Sequence, residues 1–182
     1  ALHKDMATVL IDTTGDSLFK RGYRSEKGEA PLKENMAASI ILLTNWLANP
    51  SSAFVDPTCG SGTFTIEAAM LALNMAPGMN RPFAFTAWPW FDEEILKQEK
   101  ALAQKQVLTD LELDIQGFDI DGKMIEIAKH NALAAGLSDV IKYKQMRLQD
   151  FRTDKLDGVL VSNPPYGVRL EDEEAVAALY GE

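Results

Sequence analysis

The residues best suited by type and position to do chemistry form the tetrapeptide Asn163, Pro164, Pro165 and Tyr166. They follow residues 156–162, an apolar run typical of a buried strand, and the carboxyl end of such a strand is where open α/β sheets hold ligands. The Asn163 side-chain oxygen and the Pro164 carbonyl are acceptors that could hold an exocyclic amine, while the Tyr166 ring could stack on the group carrying it. This pattern fits methyl transfer to a planar amino group. The same tetrapeptide is also an ordinary turn signal, so other motifs must decide.

A turn of small residues is the second candidate site, between a predicted strand at 53–56 and a predicted helix that begins near Thr63. Its members are Asp56, Pro57, Thr58, Cys59, Gly60, Ser61, Gly62 and Thr63. Small residues let the backbone approach a ligand, and the free amides of the helix start face it. The turn matches neither the dinucleotide fingerprint nor the P-loop. Asp56 would repel a pyrophosphate but suits an amino or sulfonium cation, as in S-adenosylmethionine. A tight strand–helix turn without a ligand is the alternative.

Acidic residues follow the next two predicted strands. Asp119 ends the strand at 113–119, where a carboxylate can accept hydrogen bonds from both ribose hydroxyls. Asp121 is expected to cap the following helix instead. Asp150 follows the strand at 140–144 and could accept from an adenine amino group, or it could be a solvated loop acid. The small-residue turn, the two acids and the Asn-Pro-Pro-Tyr motif thus follow four successive strands.

Strands and helices alternate along the chain, which predicts an α/β fold with a doubly wound, mostly parallel sheet. The predicted helices span residues 31–47, 63–74, 91–108 and 122–135. The second of them is apolar on almost every side, which indicates burial. The first helix has apolar residues at helical spacing: Met36, Ile40, Leu43 and Leu47.

Three further segments lie outside this alternation. Residues 6–12 and 18–23, joined by the turn cluster 13–16, predict an amino-terminal hairpin. The irregular segment 75–92 carries five aromatic residues, which we expect to pack into the core as a lid; a platform on which bases stack is the alternative. They are Phe83, Phe85, Trp88, Trp90 and Phe91. A basic cluster could contact RNA phosphates or be a solvated part of the hairpin: Lys20, Arg21, Arg24 and Lys27.

Composition limits the classes of protein to which the chain can belong. With 182 residues, 46% of them hydrophobic and 25% charged, it fits one globular domain with a sizeable core. The net charge of −9 argues against this segment gripping a nucleic-acid backbone by itself. One cysteine, Cys59, and two isolated histidines cannot assemble a zinc-like cluster, so we expect no metal. Without a membrane span or a signal-peptide pattern, we expect a soluble, cytoplasmic protein.

The motifs together resemble those of the class I S-adenosylmethionine-dependent methyltransferases. The segments 20–24 (Lys-Arg-Gly-Tyr-Arg), 30–35 (Ala-Pro-Leu-Lys-Glu-Asn) and 76–81 (Ala-Pro-Gly-Met-Asn-Arg) extend the resemblance to the bacterial THUMP-associated ribosomal RNA guanine-N2 methyltransferases. Members of that family were often labelled adenine-specific DNA methylases. The resemblance covers nearly all of the chain and implies a Rossmann-like fold that lacks the family's THUMP region and the last strands of its sheet.

The resemblance also implies an organisation and a set of roles. Residues 1–30 would form a flap, and residues 31–182 an incomplete S-adenosylmethionine-binding methyltransferase domain. The implied cofactor-binding residues are Asp56, Thr58, Cys59, Gly60, Ser61, Gly62, Thr63, Asp119, Ile120 and Asp150. Within this set, Asp56, Gly60 and Gly62 would shape the methionine end of the pocket, Asp119 the ribose end and Asp150 the adenine end. Residues 163–166 would hold a flipped guanine of 23S ribosomal RNA.

Other substrates and another class of protein stay open at this point. Methylation of adenine N6 in DNA or RNA, or of a protein glutamine amide, would use the same four residues. The chain could also be a non-catalytic module that only binds the cofactor. RNA binding is expected to depend largely on other domains, since this segment is acidic.

Overall fold

The computed structural model describes residues 2–3, 6–24, 32–155 and 157–164. Within these ranges the strands are β1 (Leu2–His3), β2 (Met6–Ala7), β3 (Ala53–Asp56), β4 (Ile115–Asp119), β5 (Ile141–Gln145) and β6 (Gly158–Leu160). The α-helices in the same ranges are α1 (Glu34–Leu43), α2 (Thr63–Ala72), α3 (Glu93–Lys105) and α4 (Gly122–Ala134). None of these helices is both long and apolar enough to cross a membrane. Pro165, Tyr166 and Lys27 lie outside the described residues.

A four-stranded parallel sheet forms the centre of the fold, with the strand order β5-β4-β3-β6. Its register aligns Asp56 of β3 with Gly117 of β4, and Gly117 in turn with Tyr143 of β5. On the other side of β3, Val55 is aligned with Leu160 of β6. Helices connect β3 to β4 and β4 to β5, as parallel pairing requires. The predicted parallel α/β fold is confirmed.

The core lies between the sheet and α2. All four residues of β3 are buried, and nine of the ten residues of α2 are buried as well. The all-round burial predicted for this helix is therefore confirmed. Phe54 at the centre of β3 packs edge-on against Trp46, with 5.0 Å between ring centroids. A central strand covered this completely fixes the position of the turn that follows it, which is the turn of small residues.

Helix α1 forms within the predicted helical segment, but the apolar residues at helical spacing only partly coincide with its buried side. Met36 is 52% exposed and Leu43 is 85% exposed, whereas Ile40 and Leu47 are partly buried against the core. The buried side carries Ala37 and Ile41, each fully inaccessible, and it packs against α2. Small alanine side chains let two helices approach closely, and this contact outweighs the larger apolar residues in setting the rotation of the helix.

The amino-terminal hairpin predicted between residues 6–12 and 18–23 is not formed. Strand β2 pairs instead with β1, antiparallel, and residues 8–24 contain no strand. The turn at 13–16 does form, with the Asp12 carboxylate accepting the Thr14 amide at 2.8 Å. The carbonyls of residues 13 and 14 then accept the amides of residues 85 and 84. The hairpin prediction was wrong: residues 18–23 form no strand with which residues 6–12 could pair, and the turn between the two segments is bonded to a distant part of the chain instead.

Arg81 holds the same amino-terminal segment in place. Its guanidinium is buried and donates to the carbonyls of Asp16, Ser17 and Lys20, with 3.1 Å to Ser17 and 3.4 Å to Lys20. Gly22 packs closely against the irregular segment 75–92, because an added Cβ at position 22 would lie 2.4 Å from the Asn80 carbonyl oxygen. Residues 13–24 therefore pack as an integral part of the domain.

Two arginines of the predicted basic cluster are buried in ion pairs. Arg21 contacts Glu67 of α2 at 3.3 Å, and the Tyr23 hydroxyl donates to the same carboxylate at 3.2 Å. Arg24 lies 3.6 Å from Glu34 at the start of α1. The four charged side chains are at most 12% exposed. Burial raises the pKa of Glu67 against the opposing effect of Arg21. We call this group of five side chains the buried ion network; its arginines are not available to RNA phosphates.

The aromatic segment does not pack into the core as a lid. Phe83 and Phe85 stack at 5.1 Å, and Trp88 and Trp90 lie 5.6 Å apart, so the rings pack mainly on one another. Trp90 is 75% exposed and the other rings are half-buried. The expectation of core packing was wrong: the backbone of this irregular segment is bonded to the turn at residues 13–16, and its rings stay partly exposed.

Candidate active site

Strand ends bring the predicted site residues to one edge of the sheet. Asp56 is the last residue of β3, and Asp119 is the last residue of β4. Asp150 ends a short 3-10 turn after β5, and Asn163 follows β6 by three residues. Because the strands are parallel, their carboxyl ends lie along the same edge. The structure thus gathers acids, small-residue turn and Asn163 in one region.

Asp56 is a buried carboxyl group without a cationic partner among the contacts described. It is 2% exposed, and its Oδ1 accepts the Thr58 amide at 3.2 Å. Burial raises the pKa of this carboxyl group to about 8; the Thr58 amide opposes the rise, and the neighbouring Asp119 adds to it. A buried acid in this state is stabilised by any cation that enters beside it. The position therefore suits a ligand carrying a positive charge.

The turn after Asp56 is held by short backbone bonds. The Cys59 amide donates to the Phe118 carbonyl at 2.7 Å, and the Gly62 amide returns to the Cys59 carbonyl at 2.8 Å. Gly60 and Gly62 have φ of +52° and +83°, in the left-handed region that favours glycine. Helix α2 begins directly after this turn, so its first amides lie at the same edge as Asp56.

Asp119 joins the small-residue turn to the adjacent strand end. Its Oδ2 accepts the Gly60 amide and its Oδ1 accepts the Asp121 amide, both at 2.9 Å. Each carboxylate oxygen can accept a further donor, so ribose hydroxyls can still bind here. Asp121 itself accepts the Lys123 amide at 2.8 Å and caps α4, as its position in the sequence predicts.

Thr58 ties the small-residue turn to the strand that carries the Asn-Pro-Pro-Tyr motif. The hydroxyl oxygens of Thr58 and Ser162 are 2.6 Å apart. The Val161 amide donates to the Val55 carbonyl at 2.9 Å, which extends the pairing of β3 and β6 up to this point. Asn163 comes next and is half-buried, like Pro164. The turn and the first half of the motif are therefore fixed relative to each other.

The adenine end of the predicted pocket is more open. Asp150 is exposed, and the neighbouring Phe151 ring lies 5.5 Å from the buried Phe118 ring. Ile120, directly after Asp119, is 66% exposed and leaves an apolar surface beside the carboxylate. An exposed aliphatic side chain next to two acids can contact the face of a planar ring while the acids accept its polar groups.

Cys59 has the character of a packing residue. It is 6% exposed, and burial raises the pKa of its thiol well above the usual range, an effect to which Asp56 and Asp119 add. A thiol that stays protonated is a poor nucleophile. Among the described residues, no three His, Cys, Asp or Glu side chains are grouped so that they could hold a metal ion.

Sequence reasoning missed two side chains that support the small-residue turn. Asn131 of α4 is fully buried, and its Nδ2 donates to the Ser61 carbonyl at 3.0 Å. Tyr143 of β5 lies 2.6 Å, oxygen to oxygen, from the Thr65 hydroxyl in the first turn of α2. The sequence gives one signal for Asn131, a polar residue on the apolar side of a helix. Tyr143 has a weaker one, an aromatic residue alternating with lysines along a strand.

Comparison with protein families matches residues 21–182 to the RMKL-like methyltransferase domain, UPF0020. The match covers most of the chain, including the small-residue turn and the Asn-Pro-Pro-Tyr motif. The chain belongs to this family. Membership confirms the predicted methyltransferase resemblance. The acids and glycines at the sheet edge therefore belong to a methyltransferase domain.

Named relatives of this RMKL-like domain are similar over its whole length. A Bacillus subtilis protein described as a candidate RNA methyltransferase, YpsC, is 46% identical over 182 residues, all of this chain and 47% of its own length. The ribosomal RNA large subunit methyltransferase K/L of a Marinomonas species is 41% identical over 98% of this chain and 26% of its own. The chain thus spans less than half the length of either relative.

Solved structures share the fold of this RMKL-like domain. SMU.472, described as a candidate methyltransferase complexed with SAH, is 62% identical with a TM-score of 0.85, over 92% of this chain and 43% of its own. A Listeria monocytogenes protein described as a predicted N6-adenine-specific DNA methylase is 50% identical with a TM-score of 0.86, over 92% and 44%. The family and the SAH-bound relative support the prediction of S-adenosylmethionine as cofactor.

Proposed function

We propose that this domain binds S-adenosylmethionine and transfers its methyl group to the N2 amine of a guanine in 23S ribosomal RNA. One observation carries the proposal: Asp56, the small-residue turn, Asp119 and the strand end before Asn163 are joined by direct hydrogen bonds at a single sheet edge. In a member of a methyltransferase family, this arrangement supports a cofactor site beside a base-binding motif. A ribosomal substrate would make the protein cytoplasmic.

The positive charges of S-adenosylmethionine suit the buried acid of the proposed cofactor site. S-adenosylmethionine supplies an electrophilic methyl group on a sulfonium and also carries an amino group, so it brings two positive charges. Buried Asp56, whose pKa is raised to about 8, gains a cationic partner when such a ligand binds and is then stabilised as a carboxylate. Asp119 retains lone pairs for ribose hydroxyls beyond the two amides it already accepts. Asp150 and the exposed Ile120 would contact the adenine.

The Asn-Pro-Pro-Tyr motif would activate the target amine through hydrogen bonds. The lone pair of the guanine N2 amine is delocalised into the ring, which makes it a weak nucleophile. Asn163 Oδ1 and the Pro164 carbonyl accept the two N–H bonds and favour a localised lone pair aimed at the methyl carbon. Near-attack geometry needs about 3 to 3.5 Å between the reacting atoms. As the N–C bond forms, the methyl–sulfur bond breaks and the amine then releases one proton to solvent.

The substrate assignment rests on the relatives. One relative is named for ribosomal RNA of the large subunit and another for RNA, which supports an RNA substrate. The Listeria relative is described as acting on adenine N6 of DNA, which keeps that reaction as the second candidate. Because this segment is acidic, with a net charge of −9, much of the contact with RNA phosphates would come from other parts of a longer protein.

The test is methyl transfer by the full-length protein from labelled S-adenosylmethionine. Unmodified 23S ribosomal RNA and double-stranded DNA would be offered separately, and the product nucleosides identified by mass spectrometry. N2-methylguanosine from RNA is the expected result. N6-methyladenosine from RNA or N6-methyl-2′-deoxyadenosine from DNA would support the second candidate, and no methylated nucleoside from either would overturn the proposal.

The substitution Asn163→Ala tests the role of the Asn-Pro-Pro-Tyr motif independently of cofactor binding. Loss of the Oδ1 acceptor should lower the rate of methyl transfer about 100-fold or more, by analogy with the removal of a single hydrogen-bonding group from other active sites. Binding of S-adenosylhomocysteine, measured by calorimetry, should stay within twofold because Asn163 contacts the base and not the cofactor. A variant with a normal rate would show that Asn163 does not hold the reacting amine.

A further inference from the structure

Tyr143 reaches the small-residue turn from two strands away. It lies on β5 beside Gly117 of β4, and Gly117 lies beside Asp56 of β3, so the three residues form one row across the sheet. The ring crosses β4 over Gly117, where an added Cβ would be 2.7 Å from two ring carbons. Glycine at position 117 is therefore what allows a side chain of β5 to reach the turn after β3.

The Tyr143 hydroxyl begins a directed chain of hydrogen bonds. It lies 2.6 Å from the Thr65 hydroxyl, and the Thr65 hydroxyl donates to the Gly62 carbonyl at 2.9 Å. Thr65 has one hydroxyl proton, so Tyr143 must be the donor of the first bond. A threonine that bonds to a carbonyl three residues earlier is ordinary in a helix, but the tyrosine that fixes its hydroxyl from across the sheet is not.

The chain of bonds fixes the peptide that starts α2. The Gly62 carbonyl accepts both the Thr65 hydroxyl and the Ile66 amide, at 2.9 and 3.0 Å. The peptide unit is planar, so the amide of Thr63 points opposite to this carbonyl, out of the helix and toward the small-residue turn. Gly62 itself has a φ of +83°, and an added Cβ would lie 2.5 Å from the Tyr143 oxygen. The Tyr143 hydroxyl therefore occupies the space that a side chain at position 62 would need, and it fixes the Gly62 carbonyl through Thr65.

We propose that Tyr143 is a positioning residue for the cofactor site: acting through Thr65, its hydroxyl orients the Gly62 peptide so that the Thr63 amide is presented to the cofactor. The inference rests on the proposed cofactor and goes beyond the residues that contact it. It predicts that removing the hydroxyl alone weakens cofactor binding without opening the fold, since the Tyr143 ring still fills its slot.

The experiment is calorimetric titration of the full-length protein with S-adenosylhomocysteine. Tyr143→Phe should weaken binding about fivefold to tenfold, the usual cost of one directed hydrogen bond. Thr65→Val should have a similar effect, and the double variant should bind no worse than the weaker single one, because both substitutions break the same chain. Thr65→Ser keeps the hydroxyl and should restore binding to within twofold of the unaltered protein.

Tyr23→Phe is the matched control. It also removes the hydroxyl of a buried tyrosine, but the partner is Glu67 in the middle of α2. Tyr23→Phe should cost comparable thermal stability and leave the affinity for S-adenosylhomocysteine unchanged. If Tyr143→Phe behaves in the same way, its hydroxyl serves packing alone and the inference is overturned. If the unaltered protein does not bind S-adenosylhomocysteine at all, the proposed cofactor fails first, and the inference with it.

Discussion

Replacing Asp56 with Asn is expected to stabilise the ligand-free domain and, at the same time, to weaken its binding of S-adenosylhomocysteine. Asparagine keeps the oxygen that accepts the Thr58 amide and nearly the same volume, so the buried site stays filled. What it removes is the ionisable group. The two effects have opposite signs, which distinguishes this substitution from general damage to the fold.

The size of the stabilisation follows from the pKa of Asp56. Burial raises this pKa from 3.8 to about 8 in the folded state. Below pH 4 the group is protonated in both states and contributes nothing to the pH dependence. Between pH 4 and 8 the unfolded chain releases the proton while the folded domain keeps it, so stability falls as pH rises and levels off above 8. At 1.36 kcal/mol per pKa unit, the loss is about 4 kcal/mol at pH 7.

The assay is urea unfolding of the ligand-free protein and of Asp56→Asn at a series of pH values from 4 to 9. The difference in unfolding free energy should be small at pH 4, grow by about 1.4 kcal/mol per pH unit and level off near pH 8. Calorimetry at pH 7.5 should show at least tenfold weaker binding of S-adenosylhomocysteine, because its amino group would lose the carboxylate partner that the proposed site gives it. Parallel stability curves across this range would refute the assignment of a raised pKa to Asp56.

Two further predictions concern a close contact in the sheet and a buried ion pair. Gly117→Ala should destabilise the fold by about 1 to 3 kcal/mol in urea unfolding, because the new Cβ would lie 2.7 Å from the Tyr143 ring. Adding Tyr143→Val should recover part of the loss, and strictly additive effects would contradict the contact. Glu67→Ala should cost about 3 kcal/mol because it leaves the Arg21 guanidinium buried without its partner. A cost below about 1 kcal/mol would mean that the pair behaves like one at the surface.

Elements with local signals could be predicted from the sequence. Gly136 adopts a φ of +74° just after α4, where the sequence predicts a helix end. Asp92 caps α3 by accepting the Glu94 amide at 2.9 Å, at the start of a charged helical segment. The short apolar strands lie within about two residues of their predicted positions. In each case the residues that decide the structure are neighbours along the chain.

The features that could not be predicted from the sequence depend on contacts between residues far apart in the chain. Arg21 and Arg24 form a basic run with Lys20, which is typical of a solvated face, yet their partners Glu67 and Glu34 lie on two separate helices. Similarly, the support of the small-residue turn by Tyr143 exists only because β5, β4 and β3 align in register. Periodicity along the chain carries no information about such pairs, so the sequence could predict the strand ends of the site but not the side chains beneath them.

The buried ion network determines where this domain can be cut for transplantation into another protein. A chain shortened to begin at residue 31, the predicted boundary, would lose Arg21 and Arg24, the partners of Glu67 and Glu34. Removing one partner of a buried ion pair costs about 3 to 5 kcal/mol where the other charge stays buried, which is a large part of the stability of a typical domain. The same cut removes Tyr23, which is 2% exposed and belongs to the core. Residues 13 and 14 are also bonded to the aromatic segment, so the amino-terminal limit of a portable unit lies before residue 13.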